Sequence, residues 1–164
     1  MLHRKILLAL PLVAFLTTTV FAHESEQQKK SPREFIADWV TTFNKNNPAL
    51  QTAFYEQSEE IEVLVSSGFR HQGYKAVQKA YTEDQKNLHY YDSEARNIST
   101  RVLDDTALVT FEHLFKIQFL EDDSRWQIHI RTTSVLRNIK GEWKIVLEHS
   151  SSIRGVERMI PIEE

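Results

Sequence analysis

Helical apolar spacing up to Tyr81, followed by four long stretches of alternating character beyond Tyr91, predicts an α+β domain. The short breaks between those stretches hold turn residues of the hairpin kind, so the strands are read as an antiparallel meander. Helices come first and strands after, which places three N-terminal helices on one face of a strongly curved antiparallel β-sheet.

Ser31-Pro32-Arg33-Glu34 opens the first helix, with serine able to cap, proline at the first helical position and Glu34 completing a capping box. Phe35, Ile36, Trp39, Val40 and Phe43 then form one apolar stripe. Asn46-Asn47-Pro48 stops it and starts a shorter helix carrying Leu50, Ala53, Phe54 and Tyr55. Ile61 to Val65 is a β-branched run and reads as a strand, ended by the turn Ser66-Ser67-Gly68. Gly73 opens the third helix, with Tyr74, Val77, Ala80 and Tyr81 on one side. The meander follows as Ala95 to Leu103, Thr106 to Leu120, Arg125 to Arg137 and Glu142 to Ile153.

The N-terminus reads as a signal peptide, residues 1–22. Arg4 and Lys5 precede an apolar run from Ile6 to Leu16, and Val20 and Ala22 stand where a signal peptidase reads small residues. The run is well short of the roughly 20 residues a spanning helix needs. Cleavage after Ala22 is expected, giving a periplasmic or secreted product with no membrane anchor. The polar stretch from His23 to Lys30 reads as a flexible leader, residues 31–153 as one domain, and residues 154–164 as a tail that packs or frays.

Composition narrows the function classes. Removing Arg4 and Lys5 from the 20 basic residues leaves 18 against 23 acidic ones, a charge near −5 that does not attract phosphate backbones, so no nucleic-acid partner is expected. There is no cysteine, hence no disulfide, thiol nucleophile or thiolate metal site. No glycine-rich phosphate loop occurs among the 4 glycines, and no cofactor is expected.

Strand register points to a candidate site. Centring one hairpin on Glu121–Ser124 sets Phe119 opposite Trp126, Ile117 opposite Ile128 and Phe115 opposite Ile130. Centring the next on Lys140-Gly141 sets Leu136 opposite Ile145 and Ser134 opposite Leu147. Continued inward, His113 faces Thr132 and Thr132 faces His149, a polar row across three strands with Phe111, Phe115, Ile130, Ser134 and Leu147 around it. Buried imidazoles and hydroxyls need partners. They either satisfy one another as core or line a small-molecule pocket whose apolar wall carries a few polar groups. In the second case His113 and His149 are the candidate acid–base residues, since histidine titrates near neutrality. Trp39, Tyr55 and Tyr81, on the helix stripes, would face the same cavity.

Glu112, Arg131, Thr133 and Glu148 are expected on the opposite face, as a solvated or inter-subunit ion-pair cluster. With no carboxylate on the core face, and His71, His89 and His129 apart, no metal site is expected.

Two segments carry a family resemblance. Gly141-Glu142-Trp143-Lys144-Ile145-Val146-Leu147-Glu148-His149-Ser150-Ser151 resembles the closing strand of SnoaL-like proteins, with its Gly-x-Trp entry and late histidine. His71-Gln72-Gly73-Tyr74-Lys75-Ala76-Val77 resembles the loop and helix start of the same family, within the nuclear transport factor 2-like superfamily. The resemblance implies a cone-shaped fold around an apolar cavity, a homodimer packed through the sheet's outer face, and His149 lining the cavity. Family members include ketosteroid isomerases, polyketide cyclases, dehydratases, a kinase association domain and binding proteins without activity, so the fold leaves function open. In the isomerases an aspartate base sits on the short strand after the second helix; here that strand turns Ile61, Val63 and Val65 inward, and no acid. The leading expectation is therefore a domain that binds a small, largely apolar molecule. The alternatives are a lyase, isomerase or hydrolase with a cavity histidine as general base, and a dimeric interaction module.

Overall fold

The computed structural model describes residues 30–163. The segment expected to be a signal peptide, residues 1–22, and all of the expected leader except Lys30 lie outside the described residues.

Helix α1 (Pro32–Thr41) starts on the anticipated capping box: the Ser31 hydroxyl accepts from the Glu34 N–H, and the Ser31 N–H donates to the Glu34 carboxylate at 2.8 Å. Its stripe, Phe35, Ile36, Trp39 and Val40, is buried, and a 3-10 turn at Thr42–Lys45 adds Phe43 to the same face. Asn46 then adopts a left-handed conformation that ends the turn, and Asn47 caps α2 (Pro48–Thr52). Because α2 is only five residues long, Phe54 and Tyr55 lie beyond it, and Tyr55 instead forms a bridge with Ile145.

The short strand becomes β1 (Glu62–Leu64), and the turn after it leads to an unanticipated partner, β2 (Arg70–Gln72). After α3 (Tyr74–Asn87), strands β3 (Leu88–Leu103), β4 (Thr106–Phe119), β5 (Arg125–Ile139) and β6 (Glu142–Ser152) form the meander. A last short strand, β7 (Met159–Pro161), brings part of the tail onto β5.

The sheet order is β2-β1-β6-β5-β4-β3. The meander is antiparallel as expected, but β1 runs parallel to β6, so the sheet is mixed. Strand β3 starts at Leu88 rather than Ala95, because a register shift lets it pass Asp92 and continue pairing; a second shift follows at Asn97, and both residues have positive φ. Such bulges add local bend and twist, and here they help the long strands curl around the helices. The enclosed core is rich in aromatic rings, with Trp39, Phe43, Tyr55, Tyr90 and Phe111 all buried. Fully burying an apolar side chain of this size stabilises by roughly 1.5–3 kcal/mol.

Candidate functional site

The interior face depends on register, and the register departs from expectation in two ways. Between β4 and β5 the connection is wider than four residues, so Ile117 pairs with Trp126, Phe115 with Ile128, His113 with Ile130 and Phe111 with Thr132. The offset is two residues along the strand. Side chains alternate with period two, so every inward residue stays inward even though its neighbour changes. His113, Thr132, Ser134, Phe111 and Ile130 are buried there, with Phe115 beside them and partly buried.

Between β5 and β6 the correction has larger consequences. Leu136 pairs with Ile145 as expected, but the next pair is Val135 with Leu147, so Val146 is an extra residue on β6. A single-residue bulge reverses the facing of everything beyond it. His149 pairs with Thr133, is exposed and leaves the proposed row, and Leu147 moves to the outer face beside Val135. Glu148 and Ser150, paired with Ser134 and Thr132, turn inward and are buried. The expectation of a carboxylate-free core face is therefore overturned, as is the grouping of Glu148 with Glu112, Arg131 and Thr133. The bulge lies where β6 changes its outer neighbour from the Phe54–Glu56 segment to β1. Three consecutive apolar residues, Ile145 to Leu147, were the available signal, since such a run cannot alternate strictly.

The interior now contains two polar clusters. In the first, the Nε2 of His113 lies 2.8 Å from the Ser93 hydroxyl. The rings of Phe115, Phe43, Trp39 and Phe111 surround it at centroid distances of 4.5 to 6.3 Å. Burial pushes its pKa down to about 3, so the ring stays neutral in ordinary buffers. His113 is thus a core histidine with one identified partner, poorly suited to act as a base.

The second cluster centres on Glu148. Its Oε2 accepts from the Tyr55 hydroxyl, which lies 2.8 Å from the Tyr81 hydroxyl. Its Oε1 accepts from Ser150 at 3.4 Å, and Ser150 is 3.1 Å from the Thr132 hydroxyl. None of the ion pairs among the described residues involves Glu148. Burial raises the carboxyl to about 7, against the opposing pull of the Tyr55 and Ser150 hydrogen bonds. Burial also drives the Tyr55 and Tyr81 phenols far above their usual range, with the Glu148 charge adding to it, so both remain protonated. Near neutral pH the carboxyl is poised between its two states.

Several buried polar atoms nearby have no protein partner. The Nε1 of Trp39 and the hydroxyl of Ser134 make no hydrogen bond among the described residues. Gln85 donates to the Gln51 Oε1 at 2.6 Å across α2 and α3, leaving the Gln51 amide nitrogen and the Gln85 amide oxygen unpaired among the described residues. Leaving such a group unpaired costs about 1–3 kcal/mol. Among the described residues, one surface groove lies between α2 and α3, and another, beside the β5–β6 hairpin, includes Tyr55 in its wall. Neither is lined by Glu148 or His113.

A family profile for the SnoaL-like domain matches residues 33–155. The chain belongs to the SnoaL-like domain family. Solved structures agree on the fold. A nuclear transport factor 2-like superfamily protein from Salmonella enterica superposes with a TM-score of 0.62 at 20% identity, covering 75% of this chain and 90% of that one. A ketosteroid isomerase-like protein from Erwinia carotovora atroseptica gives 0.65 at 13% identity, covering 78% and 98%. A candidate scytalone dehydratase from Novosphingobium aromaticivorans gives 0.64 at 16%, covering 80% and 91%. At these identities the likeness concerns the nuclear transport factor 2-like α+β cone, with helices on a curved mixed sheet. No curated protein matches the chain.

Proposed function

We propose that this SnoaL-like domain binds a small, largely apolar molecule inside the cone, with the Glu148 cluster as its polar anchor. The observation that carries the reading is a buried carboxyl held only by hydroxyls, in an aromatic interior that also contains the unpaired Trp39 N–H and Ser134 hydroxyl. Few polar groups in an apolar lining is the usual composition of a small-molecule site. A thermal-shift panel of hydrophobic ketones, phenols and amines tests it. A ligand at 100 times its Kd stabilises by about 2.7 kcal/mol, and Glu148→Gln should change which class is preferred. A folded protein whose melting point no class moves would refute the reading.

A second reading rests on the poise of Glu148 near neutrality. A carboxyl that changes charge near pH 7 is suited to take and return a proton, which supports an isomerase- or dehydratase-type enzyme with Glu148 in place of the anticipated histidine base. The relatives' names point the same way. Turnover that survives Glu148→Gln removes this reading.

Export and self-association complete the proposal. The charged, apolar and small-residue pattern of the first 22 residues supports a periplasmic or secreted product. Leu108, Val135 and Leu147 form one apolar row across three strands of the outer face, which supports a homodimer through that face. Light scattering at micromolar concentration separates dimer from monomer.

A further inference from the structure

The hydroxyls of Tyr81 and Tyr55 and the carboxyl of Glu148 form a chain that ends at Tyr81. Glu148 and Tyr55 are 6% and 1% exposed, Tyr81 is partly buried as a residue, and among the described residues its hydroxyl makes no hydrogen bond other than that to Tyr55. Each phenol has one proton to place.

When Glu148 is ionised, both protons point inward: Tyr81 donates to Tyr55, and Tyr55 donates to the carboxylate. The free valence of Tyr81 is then a lone pair. When Glu148 carries its proton on Oε2, the order reverses. The acid donates to Tyr55, the Tyr55 proton can go only to the Tyr81 oxygen, and the Tyr81 O–H is left to face whatever lies beyond it. The competing route, through Oε1 to Ser150, uses a contact of 3.4 Å, long for an O–H···O bond. The Tyr55 side is therefore the better seat for the proton.

Other titratable groups leave the chain intact. Tyr90 on β3 is hydrogen-bonded to Asp84 of α3 at 3.4 Å, so neither competes for Tyr55. His71 on β2 acts on Asp84, not on Glu148. His113 on β4 is neutral and engaged by Ser93.

We infer that Tyr81 is the specificity-determining contact of the interior site, presenting a donor to the ligand when Glu148 is protonated and an acceptor when it is ionised. The inference rests on the proposed reading of the interior as a binding site. A ligand that can only accept, such as a ketone, binds with Glu148 protonated and loses about tenfold in affinity per pH unit above the carboxyl's midpoint. A ligand that can only donate, such as an organic ammonium, shows the opposite slope below it.

The test uses two probes with one carbon skeleton, acetonaphthone and naphthylethylamine, titrated by fluorescence from about pH 5.5 to about pH 8.5 against wild type and Tyr81→Phe. The ketone should bind at least tenfold more tightly at the acid end, the ammonium at least tenfold more tightly at the alkaline end, and Tyr81→Phe should flatten both slopes. Slopes of the same sign, or slopes that persist in Tyr81→Phe, overturn the inference. If neither probe binds at any pH, the interior-site reading fails, and with it the ligand half of the inference. The chain itself is then decided on ligand-free protein by the infrared carboxyl band that Glu148→Gln removes. A midpoint that moves in Tyr81→Phe supports the chain, and an unmoved midpoint overturns it.

Discussion

Replacing Glu148 with glutamine keeps the shape of the buried side chain and removes its titration. The carboxyl lies at about 7 in the folded protein, against an ordinary value of 4.5. A raised acid binds its proton more tightly in the folded state, so its contribution is fully present below pH 4.5 and is lost as pH rises through 7. Between pH 5 and pH 8 the linkage amounts to roughly 2–3 kcal/mol. His113 works in the opposite direction, with a depressed midpoint that costs stability as pH falls below its ordinary 6.5. That effect is shared by wild type and variant and cancels in their difference. Urea denaturation of both proteins at pH 5 and pH 8 gives the measurement. Glu148→Gln should be more stable relative to wild type at pH 8 than at pH 5, by roughly 2–3 kcal/mol. An identical difference at the two pH values would refute the claim that Glu148 is buried and without a cation.

The other predictions follow from local geometry. Tyr55→Phe removes a hydrogen bond that lowers the Glu148 midpoint, so the carboxyl titration should move upward and stability fall by about 1–2 kcal/mol, read from the same pH-dependent melts. His149→Ala, on the exposed outer face, should change stability by less than about 0.5 kcal/mol, whereas His113→Ala opens a void among four aromatic rings and should cost at least about 2 kcal/mol in denaturant titrations. Gly73→Ala should destabilise by more than about 1 kcal/mol, because φ is +82° and a Cβ would lie 2.6 Å from the Glu59 carboxylate; Gly68→Ala, with open space, should cost less in the same assay.

Much of the fold is legible in the sequence alone. The capping box, the Phe35–Phe43 stripe and the hairpin at Lys140-Gly141 are local signals, and each involves residues within a few positions of one another. The site was legible only in part. His113 and Thr132 were placed on the inner face because an offset of two residues preserves facing. His149 and Leu147 were misplaced, and Glu148 and Ser150 missed, because one extra residue does not. Strands β2 and β7 are not legible because Arg70–Gln72 and Met159–Pro161 lack the β-branched run that marks Ile61 to Val65.

By itself the sequence determined element order, the helix starts and the class of fold, since these follow from spacing along the chain. Only the tertiary structure decided which polar group occupies the interior. The Val146 bulge sits where β6 passes from the Tyr55 segment to β1, neighbours more than 80 residues away along the chain. Pairing at such separation depends on how the whole sheet curls, and that curl sends a carboxylate inward and a histidine out to water.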